Sequence, residues 1–253
     1  MITAVPPYVL LLVAIILIYL LDCLVLLYAN EAVAKSHRAG WFVDFGSRQT
    51  WIAGKRMYLL NPFTPLTAVY RTHWTIAESL PHADESTLAS WAEHAVLIAR
   101  LNTHIAATAW IVLVILPLAM LVWGPLGFLV GAALSWFVVI VLLLRFAGCR
   151  RALELSRGEF ALLAFECLAC PPCAVNLLRK LSLRYRMNVD LVAVATGLDA
   201  GEAAKVLDHI GQQADARLIM MALDTAEYEQ AYTYRELIRS EQSRLNSEEA
   251  VSA

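Results

Sequence analysis

Three apolar runs limit what this chain can fold into more than any other feature. Tyr8 to Leu27, Ile105 to Val122 and Leu126 to Leu144 are nearly unbroken stretches of aliphatic and aromatic side chains. A helix needs about 20 such residues to cross roughly 30 Å of hydrocarbon, where lipid offers no partner to a backbone polar group. The pattern predicts three transmembrane helices. Only Trp123-Gly124-Pro125 separates the last two, which predicts a tight helical hairpin. Composition agrees: 59% of the 253 residues are hydrophobic and 17% charged, too apolar for an ordinary soluble domain. No Lys or Arg precedes the first run, and no small-x-small cleavage site follows it. We therefore read it as a retained helix rather than a signal peptide.

Charge sets the expected orientation. Lys and Arg collect on the cytoplasmic side of short loops. The N-terminal tail and the Gly124-Pro125 turn carry no charged side chain, whereas Lys35, Arg38, Arg48, Lys55, Arg56, Arg71 and Arg100 lie between the first and second runs. Arg145, Arg150, Arg151 and Arg157 follow the third. Three spans with every cation inside place the N-terminus out and the C-terminal region in the cytoplasm. The expected fold is mainly α: three transmembrane helices with helical cytoplasmic extensions. The expected segments are 1–29 (first span), 30–104 (basic, aromatic loop and amphipathic helix), 105–145 (hairpin), 146–172 (helical stalk) and 173–253 (C-terminal domain). The expected location is the inner membrane, multi-pass.

Small residues recur four apart in the third run, at Gly127, Gly131 and Ser135, a stripe that lets another helix approach closely. Asp22 is the one ionisable residue well inside a run, and intramembrane carboxylates are functional candidates by default. It lies near the cytoplasmic end, however, and no second charge accompanies it as a relay would require.

Residues 35 to 74 mix cations with Trp and Tyr. Arg38, Trp41, Arg48, Trp51, Lys55, Arg56 and Trp74 suit either a lipid headgroup region or a protein partner. Asn61-Pro-Phe-Thr-Pro65 breaks any regular element there. From Asp84 the stretch DESTLASWAEHAVLIARLNTHI opens on a capping signature and runs helically into the second apolar run.

Four of the five cysteines fall between Cys149 and Cys173, three of them in ECLACPPC. Cytosolic thiols stay reduced, which argues against a structural disulfide. Three assignments stand open. Cys149, Cys167, Cys170 and Cys173 could supply thiolates to zinc or an iron–sulfur cluster, although neither paired zinc knuckles nor a ferredoxin run is present. Cys170-Pro-Pro-Cys173 has redox-pair spacing without a βαβ context. Or the cysteines are small buried hydrophobes around a Pro-Pro helix boundary, with no cofactor at all.

After Pro172, AVNLLRKLSLRYR is helical, and VDLVAVATGLDAGEAAKVLDHI reads as two short helices about Gly197, with Ala193 four residues before it and Ala203 and Val206 after it. This resembles a helix-turn-helix. The runs 217–223 and 228–234 read as a β-hairpin and 235–249 as a closing helix. That order resembles a small α+β winged-helix domain, in architecture alone. An all-helical domain is the rival. From Met187 onward there are 12 acidic and 5 basic residues, and the second helix offers Glu202, Lys205, Asp208, His209 and Gln212. Phosphate affinity comes from cations, so nucleic acid is disfavoured as a partner.

No Walker loop, nucleophile elbow, HExxH or dinucleotide fingerprint occurs, which argues against an enzyme. The expected role is an adaptor or scaffold subunit that holds a cytoplasmic or membrane protein at the bilayer, as in a secretion or conjugation assembly, alone or as an oligomer. The alternatives are a membrane-tethered winged-helix transcription regulator and a thiolate metal or redox sensor.

Overall fold

The computed structural model describes residues 6–37, 40–47, 49–76, 85–185, 190–220 and 225–252. The chain forms two compact units interleaved in sequence. The first contains residues 1–25, 58–68 and 93–184, the second 26–57, 69–92 and 185–253.

The first unit is helical. Helix α1 (Pro7–Asp22) begins on a proline, whose fixed φ suits the first turn. It ends after 16 residues, and Leu24–Leu27 is strand β1, not a further helical turn. Alternation explains the switch: Val25 and Leu27 are buried and Leu26 is not, the two-residue period of a strand. An apolar run alone does not separate the two states. Sixteen residues rise about 24 Å, short of the hydrocarbon thickness.

Among the described residues one helical stretch, Asn102–Cys149, is long and apolar enough to cross a membrane. This corrects the expectation of three transmembrane helices. The N-out orientation, which rested on counting three spans, falls with it. The stretch comprises α3 (Asn102–Trp110), a π-helical turn (Ile111–Ile115) and α4 (Leu116–Cys149). The π turn immediately precedes Pro117, which lacks the N–H needed for an i→i−4 bond, and a widened turn relieves the clash. Inside α4, Gly124 has φ 59° and ψ −130°, so the chain doubles back there. Beyond α4 come α5 (Arg157–Ala169), α6 (Pro171–Val175) and α7 (Leu177–Arg184). A full capping box of Ser156 and Glu159 starts α5.

The second unit places helices on a sheet. Residues expected to be an irregular loop form strands β2 (Glu31–His37), β3 (Gly40–Asp44), β4 (Trp51–Ile52), β5 (Lys55–Leu59) and β6 (Val69–His73). One sheet has the order β3-β2-β6 and is antiparallel, with Lys35 opposite Phe42 on one side and Val69 on the other. The other has the order β1-β5-β4. Helix α2 (Glu85–Ala99) does not run on into α3: the chain turns at Arg100–Leu101.

Helices α8 (Leu191–Thr196), α9 (Ala200–Met220) and α10 (Ala226–Ser252) complete the unit. Leu191, Val192, Ala195, Val206, Leu207, Ile210, Tyr234 and Ile238 pack with Ala32 and Trp74 in one core. Asp190 caps α8 through the Val192 N–H at 2.8 Å and also accepts from the Thr75 N–H at 3.2 Å, tying α8 to the end of β6. The expected wing is absent: among the described residues of 217–234 there is no strand, and α9 and α10 form a helical pair instead. The buried positions Ala231, Tyr234 and Ile238 are spaced three and four apart, a helical stripe beneath the apparent alternation of tyrosines. Arg235 grips Asp215 with two hydrogen bonds, at 2.7 and 3.0 Å. Gly197 ends α8 with φ −99°, so the turn needs no left-handed residue.

Candidate functional site

The small-residue stripe faces the returning half of the hairpin. A Cβ on Gly127 would stand 1.9 Å from the Ala119 carbonyl oxygen, and one on Gly131 would stand 2.6 Å from Leu116 Cδ1. Ser135 is buried on the same stripe and returns its hydroxyl to the Gly131 carbonyl at 2.7 Å. Backbone contact this close requires glycine. The opposite faces are apolar and bare: Leu121, Val122, Trp123, Leu126, Leu129 and Phe137 are each more than half exposed. On α1 the exposed Leu10, Val13, Leu17 and Leu21 form a second apolar stripe. Monomeric soluble proteins rarely expose contiguous apolar surface on this scale.

Within the same unit lies a buried polar cluster that sequence reasoning missed. Arg179 is 2% exposed. Its guanidinium donates to the Thr64 carbonyl at 2.6 Å, to the Asn61 carbonyl, to Asn176 Oδ1 at 3.1 Å and to Cys23 Sγ at 3.6 Å. It therefore clamps the turn Asn61-Pro-Phe-Thr64, which Asn61 Oδ1 also braces by accepting from the Phe63 N–H at 2.9 Å. The side chain that this turn presents, Phe63, is 90% exposed. In the sequence Arg179 is one residue of the helical stretch AVNLLRKLSLRYR; the signal that could have found it is its place among Leu177, Leu178 and Leu181 on the buried face of α7.

Asp22 is not an isolated intramembrane carboxylate. Lys180 Nζ pairs with it at 2.8 Å and Asn176 donates to it at 3.0 Å. Lys180 also reaches Glu166 at 3.3 Å, and Arg184 reaches the same carboxylate at 3.5 Å. Burial pulls the Lys180 ammonium downward, but the Asp22 carboxylate and its neighbours outweigh that and raise its pKa.

All five cysteines are free thiols. Among the described residues no group of three or more His, Cys, Asp or Glu stands close enough to hold a metal ion, so Cys149, Cys167, Cys170 and Cys173 do not assemble as a ligand set. Cys167 is buried, which pushes its pKa up to about 12. The pair about Pro171-Pro172 differs: the Cys173 thiol donates to Cys170, drawing Cys170 down to about 6 and pushing Cys173 up.

The aromatic and basic residues of the loop separate in the second unit. Arg38 and Arg48 lie outside the described residues. Trp74 is 1% exposed and stacks with Tyr234, so it is a core residue and not an interface anchor. Trp41 packs against Tyr70 and Trp91. Trp51 is exposed, with the Arg56 guanidinium over its ring, and Lys55 sits over Tyr28. Arg56 is buried beside His209. No protein-family model matches this chain, and no curated protein and no solved structure gives a significant match.

Proposed function

We propose that the protein is a membrane-anchored adaptor, held in lipid by the Asn102–Cys149 hairpin, that binds a protein partner at the membrane surface. The observation that carries this reading is the bare apolar surface on both sides of Gly124, backed by a glycine seam along which the two halves pack closely. In water that surface would cost roughly 25 cal/mol per Å²; in hydrocarbon it costs nothing. Arg100 on one flank and Arg145, Arg150 and Arg151 on the other bracket a turn with no charge, which favours both flanks facing the cytoplasm.

Phe63 supports the partner-binding half of the proposal. An aromatic ring projected from a turn that a buried arginine holds rigid has the form of an interface anchor. Solubilisation in mild detergent followed by affinity capture and mass spectrometry tests it. A discrete partner should copurify with the wild type and be lost from Phe63→Ser. A single chain with no copurifying protein across several detergents contradicts the adaptor role.

A further inference from the structure

A cavity of about 310 Å³ in the second unit is lined on one side by a single face of α9. His209, Gln212, Gln213 and Arg217 recur there at i, i+3, i+4 and i+8, with Ala216 leaving room between them. Arg56 enters from β5 on the other side. Among the described residues that line it, none is acidic. This placement runs against the charge of the region, where 12 acidic residues outnumber 5 basic ones from Met187 onward. The nearby carboxylates are engaged: Asp208 accepts from Gln212 at 2.7 Å, and Asp215 holds Arg235.

Each guanidinium lies over an indole ring. Arg56 lies over Trp51 at 5.3 Å and Arg217 over Trp74 at 4.9 Å. Stacking uses the π face of a guanidinium, and the N–H fork in its plane suits the oxygens of a phosphate. His209 is fixed by stacking on Phe45 at 3.7 Å. Gln213 turns its amide oxygen toward Arg56, because its NH2 group there would meet only donors. That oxygen accepts from Arg56 Nη1 at 3.1 Å and from His209 at 2.8 Å, while the NH2 group reaches the Ala29 carbonyl at 3.0 Å. One acceptor oxygen thus already sits where Arg56 and His209 converge.

We propose that this cavity binds a phosphate monoester, with Arg56, His209 and Arg217 donating to the phosphate oxygens, one of which displaces the Gln213 amide oxygen from Arg56 and His209, and with Gln212 at the rim. Its volume, at the small end of ligand cavities, admits the phosphate and a few carbons. The same chemistry is offered by a soluble metabolite and by a phosphate-terminated lipid headgroup.

Two probes distinguish these sources, both on the full chain: glycerol 3-phosphate by calorimetry in detergent, and phosphatidic acid against phosphatidylcholine nanodiscs by thermal melting. Glycerol alone is the control ligand. A soluble source predicts a glycerol 3-phosphate Kd of about 1 mM or tighter. A lipid source predicts a higher Tm in phosphatidic acid nanodiscs only. In either case Arg217→Gln should weaken the response at least about tenfold, since it removes charged hydrogen bonds. Gln212→Glu, which brings a carboxylate into the cavity at an exposed helix position, should abolish it. Arg244→Gln, which removes an exposed cation paired with Glu241 near the end of α10 and outside the cavity's lining, should leave it unchanged. No response to either probe, an equal response to glycerol, or a response that survives both Arg217→Gln and Gln212→Glu would overturn the assignment.

Discussion

Arg179 holds together backbone carbonyls from a turn more than a hundred residues away in sequence, and a buried cation with such partners is costly to remove. Arg179→Ala removes the guanidinium's hydrogen bonds to the Asn61 and Thr64 carbonyls, which keep the Thr64 and Thr67 N–H donors of the turn itself, and opens a void where a fully buried side chain stood. We expect a loss of about 3–5 kcal/mol, seen as a Tm fall of roughly 10 °C or more in a detergent melt. His94 makes a different kind of prediction. It is buried, and burial lowers its pKa to about 4. The unfolded chain, with an ordinary value near 6.5, then binds more protons than the folded one between those limits. Stability is therefore complete above about pH 6.5 and lost as pH falls toward 4, by up to about 3 kcal/mol. Denaturant titrations at pH 7 and pH 4.5 should show this loss, and His94→Phe should flatten it. Cys170, drawn down to about 6, should be alkylated by iodoacetamide at a rate that levels off near pH 7, while buried Cys167 remains unreactive; Cys173→Ser, whose hydroxyl is a different donor, should shift that profile.

At the level of elements, the hairpin depends on two glycines for different reasons. Gly124 carries the positive φ of the reversal, and Gly127 lies against the Ala119 backbone, which has no flexible atom to yield. Gly127→Ala should destabilise by about 1–3 kcal/mol through overpacking. Gly148→Ala in the same helix, with nothing within 4 Å of an added Cβ, should be neutral or slightly stabilising. The stripe at 127, 131 and 135 and the break at Gly124 were legible in the sequence because both are local signals. The strands were not. Their pairing joins residues 31–35 to 69–73, and in an aromatic, charged segment nothing local announces it. Leu24–Leu27 was hidden inside an apolar run, and hydropathy averages over the alternation that marks a strand. The helical pair α9–α10 was obscured by Tyr228, Tyr232 and Tyr234, whose even spacing fits a period of two as readily as a helix, where Tyr228 and Tyr232 stack.

For the whole molecule, the interleaving of the two units explains why sites were harder to foresee than elements. Arg56 and His209 are 153 positions apart and meet at 3.1 Å; Asp22 and Lys180 likewise come together only in the folded first unit. Read singly, Arg56 and Trp74 looked like headgroup anchors and Asp22 like a lone carboxylate. Composition pointed to a large apolar surface without revealing how many helices carry it. The central claim is that the Asn102–Cys149 hairpin resides in lipid, and site-directed fluorescence tests it most directly. An environment-sensitive probe on a cysteine at Leu126, in a cysteine-free chain reconstituted in liposomes, should show a blue-shifted emission and quenching by bromine-labelled acyl chains. Emission like that of a probe in water, quenched by iodide and untouched by the brominated lipid, would contradict the account.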